Sequence, residues 1–190
     1  MNGADKPLLQ LAGKALIGHV IDRVRAQVDT LLINANGELA RFAAFGLPVV
    51  PDAQTGFLGP ISGVLAGFEW VAANLPSTEW LVSLPCDCPL LPADLAQRLI
   101  DGAEQAGVPV AVAASAGRRH HVVAAWSMKL PLHGDDILTG RGIRKAGDFV
   151  DSFRHVQVEF PDSPYDPFFN VNTPEDAVIA EELMSGQAHV

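Results

Sequence analysis

Residues 80–85 read Trp80-Leu81-Val82-Ser83-Leu84-Pro85, a short apolar run that ends at a proline. A run of this length, closed by a turn residue, is typical of a strand that is buried on both faces. Apolar residues recur at helical spacing before it, in residues 60–71, and after it, in residues 92–106. Strand and helix therefore alternate around this stretch, which predicts an α/β fold.

The same alternation extends outward in both directions. Apolar spacing predicts further helices over residues 16–28 and 39–45, and a last one from residue 173, where Thr173, Pro174 and Asp176 form a helix start with a capping box. Apolar runs predict the other strands, at residues 30–33, 48–52, 108–114, 122–126 and 156–160. This order implies a mostly parallel sheet covered on both faces, which binds ligands at the carboxyl ends of its strands.

Composition limits the class of protein. With 190 residues, 48% hydrophobic and 18% charged, the chain matches one globular domain over residues 1–190. A net charge of −9 opposes nucleic-acid binding. The two cysteines are too few for a disulfide scaffold, which favours a cytoplasmic location. No apolar run approaches the roughly 20 residues that span a bilayer, and the N-terminus carries no export signal, so no membrane association is expected.

Polar residues fall at the predicted strand ends. The amides of Asn34 and Asn36 offer donors and acceptors that suit a nucleobase edge, and the Asp52 carboxylate suits a guanine N–H pair or a ribose hydroxyl. Gly59, just before Pro60 at a helix start, leaves room for a ligand at backbone N–H groups. Ordinary turn chemistry is the alternative for each of these residues.

Asp87 and Lys6 are the candidates for phosphate and metal chemistry. Asp87 lies between Pro85 and Pro89 in a stiff turn, and one such carboxylate is enough for a Mg²⁺ ion whose other ligands are substrate phosphates and water. Lys6 offers a point charge to a phosphate. The alternatives are a turn aspartate that bonds its own backbone and a solvated surface lysine.

The chain has one dense cationic patch, residues 118–121, Arg-Arg-His-His, between two predicted strands. Such a patch suits a phosphate or another anion, and a solvated hairpin tip is the alternative. Arg141 and Arg144 form a second basic cluster in a glycine-rich loop. The cysteines of the Asp87 turn, Cys86 and Cys88, are expected to be small buried side chains rather than metal ligands.

Four segments, read together, resemble the molybdenum cofactor guanylyltransferases. They are Asp5-Lys6-Pro7-Leu8-Leu9, Leu58-Gly59-Pro60-Ile61-Ser62-Gly63-Val64, Leu84-Pro85-Cys86-Asp87-Cys88-Pro89 and Phe169-Asn170-Val171-Asn172-Thr173-Pro174-Glu175-Asp176. The resemblance runs the whole length, in the family's order. It implies a Rossmann-like three-layer α/β/α nucleotidyltransferase fold, and an enzyme that joins the GMP of GTP to the terminal phosphate of molybdopterin with Mg²⁺ as cofactor, releasing pyrophosphate.

The resemblance also implies residue roles. Lys6 and Asp87 would be catalytic, with Lys6 on the GTP phosphates and Asp87 on the metal. Asn34, Asp52 and Gly59 would complete the GTP site. The molybdopterin side would be formed by Asn170, Asn172, Arg118 and His120. Molybdoenzymes and other cofactor-assembly proteins are the implied protein partners.

The family's pattern begins with a buried strand and a glycine-rich phosphate loop, whereas this sequence starts at what resembles the tail of that loop. We therefore expect the first, central strand of the sheet to be missing and the 190-residue chain to associate or dissolve poorly. Two other functions remain open. One is a related nucleotidyltransferase that uses CTP or a sugar phosphate, and the other is a non-catalytic cofactor-binding protein.

Overall fold

The computed structural model describes residues 5–52, 59–132, 143 and 145–186, and strands alternate with helices along these ranges. The strands are β1 Gln10–Leu11, β2 Lys14–Ala15, β3 Ile33–Asn34, β4 Val49–Val50, β5 Trp80–Ser83, β6 Val110–Ser115, β7 Arg118–Ser127 and β8 His155–Glu159. The α-helices are α1 Leu16–Val24, α2 Pro60–Asn74, α3 Leu95–Ala106, α4 Ala146–Asp151 and α5 Pro174–Ser185. Within these ranges, every helix is too short or too polar to cross a membrane. The predicted α/β class is confirmed.

The main sheet has the strand order β5-β7-β6-β8. β6 pairs parallel with β8 and antiparallel with β7, which is itself antiparallel to β5. Three strands therefore share one direction and β7 opposes them, so the sheet is mixed where a mostly parallel one was predicted. The reversal comes from the hairpin after β6, where Ala116 and Gly117 take the positive φ angles, 49° and 72°, of a tight two-residue turn.

Successive residues of β6 face two different helical layers. Ala111 and Ala113 pack in a core with residues of α1 and α3, whereas Val110 and Val112 pack with residues of α2 and α4. All residues of β6 are buried, as its continuous apolar sequence requires. The sheet is thus covered on both faces, and the expected three-layer arrangement is confirmed.

β3 and β4 form a separate parallel pair, with Asn34 opposite Val50. α2 packs against this pair and also against β5. In the described ranges, β3 pairs only with β4, and β5 pairs only with β7. One edge of β3 and one edge of β5 therefore have no strand partner there. All of β5 is half-buried, unlike β6. That a central strand is missing stays a prediction.

The predicted start of the last helix is confirmed. Thr173 Oγ1 accepts from the Asp176 backbone N–H at 3.1 Å, and the Asp176 carboxylate accepts from the Thr173 N–H at 2.8 Å. Asp176 also accepts from the Asn172 N–H at 2.8 Å, which fixes the segment just before the helix. The capping box therefore positions one of the predicted site residues as well as α5.

Other boundaries differ from the prediction. α1 ends at Val24, earlier than predicted. After it, the Gln27 side chain donates to the Arg23 carbonyl at 2.7 Å and accepts from the Ala96 N–H at 2.9 Å. Leu39–Phe45 forms a 3₁₀ rather than an α-helix. The hairpin β1–β2 and the helix α4 lie where the sequence predicted no element.

Candidate active site

The carboxyl ends of β3, β4 and β5 carry the polar residues that the sequence predicts there. Asn34 is the last residue of β3, and Asp52 and Asp87 lie in the turns that follow β4 and β5. Because β3 and β4 run parallel, their ends meet, and Asn34 Nδ2 donates to Asp52 Oδ1 at 3.0 Å. We call this first group of residues the Asp52 cluster.

Neutral side chains hold the carboxylate of the Asp52 cluster. Asn36 Nδ2 donates to Oδ2 at 2.8 Å, and Asn36 Oδ1 accepts from the Asp52 backbone N–H at 3.0 Å. Ser62 Oγ lies 3.0 Å from the same Oδ2. Among the described residues, no Lys, Arg or His forms an ion pair with Asp52. The carboxylate is thus oriented while its charge stays available to a ligand.

The N-terminus of α2 contributes Ser62 to the Asp52 cluster. Ser62 is 1% exposed, and its Oγ also lies 2.7 Å from the Gly59 carbonyl, so its proton serves one acceptor at a time. Gly59 has φ 79° and ψ −165°, a conformation that favours glycine. Sequence reasoning missed Ser62. The signal was a small polar residue beside the apolar face of a predicted helix.

Gly63 allows α2 to approach Asn34 closely. A Cβ atom added at Gly63 would lie nearer to Asn34 Oδ1 than real Cβ contacts come, and the blocking atom belongs to a short polar side chain. The glycine therefore sets the position of the Asn34 amide. Its backbone is ordinary α-helix, so close packing and not an unusual φ requires it here.

A second group, the Lys6 cluster, forms around Asp87. Lys6 Nζ lies 2.5 Å from Asp87 Oδ2 and 2.5 Å from Asn172 Oδ1. Asn170 Nδ2 donates to Asp87 Oδ1 at 3.3 Å, and the Val171 N–H donates to the Asp87 carbonyl at 2.9 Å. The structure thus brings together three segments that are far apart in sequence, with Lys6 on the first, Asp87 on the second, and Asn170 and Asn172 on the third.

The thiols of Cys86 and Cys88, on either side of Asp87, are poor nucleophiles. Burial, helped by the Asp87 charge, raises the pKa of the Cys86 thiol to about 11. Burial also raises the pKa of Cys88, which is 1% exposed. Both are free thiols that stay protonated near neutral pH, so they pack as small apolar groups rather than act as nucleophiles.

Arg41 connects the two clusters. Its guanidinium forms an ion pair with Asp5, the neighbour of Lys6, and donates to the Asn36 carbonyl at 2.9 Å. A further bond to the Glu38 carbonyl, at 2.7 Å, holds the loop after β3. Sequence reasoning missed Arg41 because it lies inside a predicted helix, where an arginine is ordinarily a solvated side chain.

The residues around Asp87 fit a magnesium ion that is bound mainly through a substrate. No cluster of three or more His, Cys, Asp or Glu suited to holding a metal occurs in the described residues. Lys6 occupies one Asp87 oxygen, and the other has only longer contacts, to Asn170 at 3.3 Å and Cys88 at 3.9 Å. One carboxylate with phosphate and water oxygens is a common Mg²⁺ arrangement.

The cationic patch at residues 118–121 is divided between two faces of β7. Arg119 turns to α4, where it donates to Asp151 at 2.6 Å. His120 packs on the other side, against Phe168 with ring centroids 4.5 Å apart. Burial lowers the pKa of His120, which opposes a positive charge there. Arg118 is exposed and, in the described part of the chain, bonds to neither cluster. Arg141 and Arg144 lie outside the described residues.

Comparison with known proteins places the chain among enzymes. The family model for the MobA-like NTP transferase domain matches residues 1–156. A molybdenum cofactor guanylyltransferase of Rhodopseudomonas palustris strain BisB5 is 50% identical over 183 residues, covering 96% of this chain and 87% of the relative. One from Bradyrhizobium sp. strain ORS 278 is 44% identical over 183 residues, with 96% and 86% covered.

Solved structures share the fold. Molybdopterin-guanine dinucleotide biosynthesis protein A from Archaeoglobus fulgidus superposes with a TM-score of 0.73 at 22% identity, covering 97% of this chain and 92% of that one. The 2-C-methyl-D-erythritol 4-phosphate cytidylyltransferase of Thermus thermophilus gives 0.70 at 15% identity, with 95% and 94% covered.

The three-layer fold and the matching family define a nucleotidyltransferase, with polar residues gathered at the strand ends where such folds bind ligands. The sequence similarity is more specific than the fold. The chain belongs to the MobA-like NTP transferases and, within them, to the molybdenum cofactor guanylyltransferase family. The resemblance seen in the sequence is thereby confirmed, together with a place in molybdenum cofactor biosynthesis.

Proposed function

We propose that the protein transfers GMP from GTP to the terminal phosphate of molybdopterin and releases pyrophosphate. The observation that carries the proposal is the Lys6 cluster, an ammonium group held between Asp87 and Asn172 at the sheet edge. A cation fixed in this way suits a reaction that needs charge neutralisation and positioning more than a protein nucleophile.

The reaction is an in-line displacement. An oxygen of the molybdopterin phosphate attacks the α-phosphorus of GTP, a new P–O bond forms, and the bond to the β-phosphate breaks as pyrophosphate leaves with its electron pair. Lys6 lies near the negative charge that develops on the phosphates, and Asp87 and Asn172 keep its ammonium in place. Mg²⁺, held through Asp87, would supply further charge neutralisation on the triphosphate.

The Asp52 cluster serves the guanosine part. The charged carboxylate accepts from ring and amino N–H groups of guanine or from a ribose hydroxyl, and Asn34 and Asn36 hold it in one orientation. Gly59 would leave room for the ligand at the backbone N–H groups that begin α2. Asn170 and Asn172 face the second substrate beside Asp87, and Arg118 and His120 extend that side along β7.

Pyrophosphate release tests this function directly. The chain is incubated with Mg²⁺ and GTP, CTP or ATP, each with and without molybdopterin, and the dinucleotide product is identified by mass. We expect pyrophosphate from GTP only when molybdopterin is present, and its loss in Asp87→Asn. Asp22→Asn is the matched control, because Asp22 is an exposed surface residue paired with Lys14.

Two results would contradict the proposal. Turnover of CTP in place of GTP assigns a related cytidylyltransferase activity. Molybdopterin binding without pyrophosphate release from any nucleotide assigns a non-catalytic binding protein.

A further inference from the structure

A chain of hydrogen bonds, buried at Ser115 and partly buried at its two ends, joins Asp166, Ser115 and His120. Ser115 is 0% exposed at the end of β6. Its Oγ lies 2.8 Å from Asp166 Oδ1 and 2.8 Å from His120 Nε2. Asp166 is held in turn by the Phe168 backbone N–H, which donates to the same Oδ1 at 2.9 Å. The proposed roles of the two clusters use neither Ser115 nor Asp166.

The direction of these bonds follows from counting protons. The Ser115 hydroxyl has one proton, and an ionised carboxylate only accepts, so that proton belongs to the bond with Asp166. His120 Nε2 must then donate to Ser115 Oγ. A neutral imidazole that carries its proton on Nε2 has its lone pair on Nδ1. Burial lowers the pKa of His120 despite the nearby Asp166 charge, which favours the neutral ring.

His120 lies beside the Lys6 cluster. Its ring packs against the Phe168 ring at a tilt of 40°, with 4.5 Å between centroids, and the Phe168 carbonyl lies 3.6 Å from Cys88 Sγ, next to Asp87. Asn170, just after Phe168 in the chain, contacts Asp87. Among the described residues, the Nδ1 atom of His120 has no hydrogen-bond partner, whereas its Nε2 atom is engaged by Ser115.

We infer that Ser115 and Asp166 hold the His120 ring in its neutral form with Nδ1 as a hydrogen-bond acceptor. Nδ1 accepts from an N–H or O–H group of the second substrate and does not bind the phosphate of that substrate. The inference rests on the proposed function for the identity of that substrate. A pterin ring carries such N–H donors, and a terminal phosphate at neutral pH carries none at its charged oxygens. Ser115 and Asp166 are positioning residues in this arrangement, and His120 is the binding residue.

Imidazole NMR of the ¹⁵N-labelled chain, without any substrate, tests the tautomer. We expect a neutral His120 with an Nε2–H proton that exchanges slowly enough to be observed, since the bond to buried Ser115 protects it. Ser115→Ala removes that signal. Ser127→Ala, at another buried serine of the same sheet, leaves it unchanged. A proton on Nδ1, a charged ring near pH 7, or an unchanged signal in Ser115→Ala overturns the inference.

Direct titration with molybdopterin tests the ligand contact. His120→Gln keeps a donor near Ser115 but loses the Nδ1 acceptor, so we expect its Kd for molybdopterin to rise about tenfold, the loss of one good hydrogen bond, with Kd for GTP unchanged. In His120→Asn the amide oxygen reaches the Nδ1 position, so we expect this variant to bind molybdopterin more tightly than His120→Gln does. We expect His120→Arg not to restore the affinity for molybdopterin.

The possible results separate the two proposals. Wild-type or tighter affinity in His120→Arg identifies a phosphate clamp and overturns the neutral acceptor. Equal affinity of wild type and His120→Gln also overturns it. If the wild-type chain binds GTP but not molybdopterin, the proposed second substrate is wrong, and with it the ligand assigned to His120, whereas the NMR result still decides the tautomer.

Discussion

Lys6 Nζ lies 2.5 Å from Asp87 Oδ2 although 81 positions separate the two residues in the chain. The pair is partly buried, with side-chain exposures of 33% for Lys6 and 15% for Asp87. Asn172 Oδ1 accepts a second hydrogen bond from the same ammonium group, also at 2.5 Å. Three segments of the chain therefore meet at one charge, so loss of Lys6 removes a contact that supports both Asp87 and Asn172 and, under the proposed function, the cation that binds the GTP phosphates.

Lys6→Gln tests this relationship. We expect turnover of GTP to fall on the order of 100-fold, since a positioned group that stabilises transition-state charge contributes about that much. Steady-state pyrophosphate release measures the change. Lys14→Gln is the matched control, because Lys14 forms an exposed pair with Asp22 on the surface. An equal loss of activity in both variants would show that general folding, and not the Lys6 site, is affected.

Asp52→Asn tests the Asp52 cluster. The substitution replaces a charged acceptor by an amide that faces the amide donors of Asn34 and Asn36. We expect the rise in melting temperature caused by GTP to disappear, because a ligand stabilises only the state that it binds. The melting temperature without nucleotide serves as the internal control for folding. A full GTP shift in Asp52→Asn contradicts the assignment.

Gly63→Ala tests close packing between α2 and Asn34. Alanine is favoured over glycine in a helix by roughly 1 kcal/mol, but its Cβ would displace the Asn34 amide. We expect weaker GTP binding with little change in the melting temperature. The control is Gly67→Ala in the same helix, where the added Cβ would lie 3.4 Å from a Leu81 methyl group and away from Asn34. Unchanged GTP affinity in Gly63→Ala would falsify the role of this glycine.

The layered fold was predictable because its signals are local. The apolar run of β5 and the capping box at Thr173 each depend on a few neighbouring residues, and both are present. The reversal of β7 was harder to predict, since it depends on two positive φ angles at Ala116 and Gly117. A non-glycine residue at positive φ gives no clear signal in a sequence.

The site was only partly predictable for a similar reason. Asn34, Asp52 and Asp87 follow apolar runs, and that position marks a strand end in any α/β sequence. Ser62, Arg41 and Ser115 join the site or its surroundings through contacts between distant segments. Their roles depend on tertiary packing, which no local pattern encodes.

Cys86 gives a test of pH dependence. Its thiol titrates with a pKa of about 11 in the folded chain against 9.0 ordinarily, so between these values the unfolded chain loses a proton that the folded chain keeps. This contribution to stability is fully present below pH 9 and is lost as the pH rises through about 11. Urea unfolding from pH 8 upward should show a steeper alkaline loss in the wild type than in Cys86→Ala. Because both chains share every other titrating group, the difference between their slopes isolates this thiol, and parallel slopes would contradict the raised pKa.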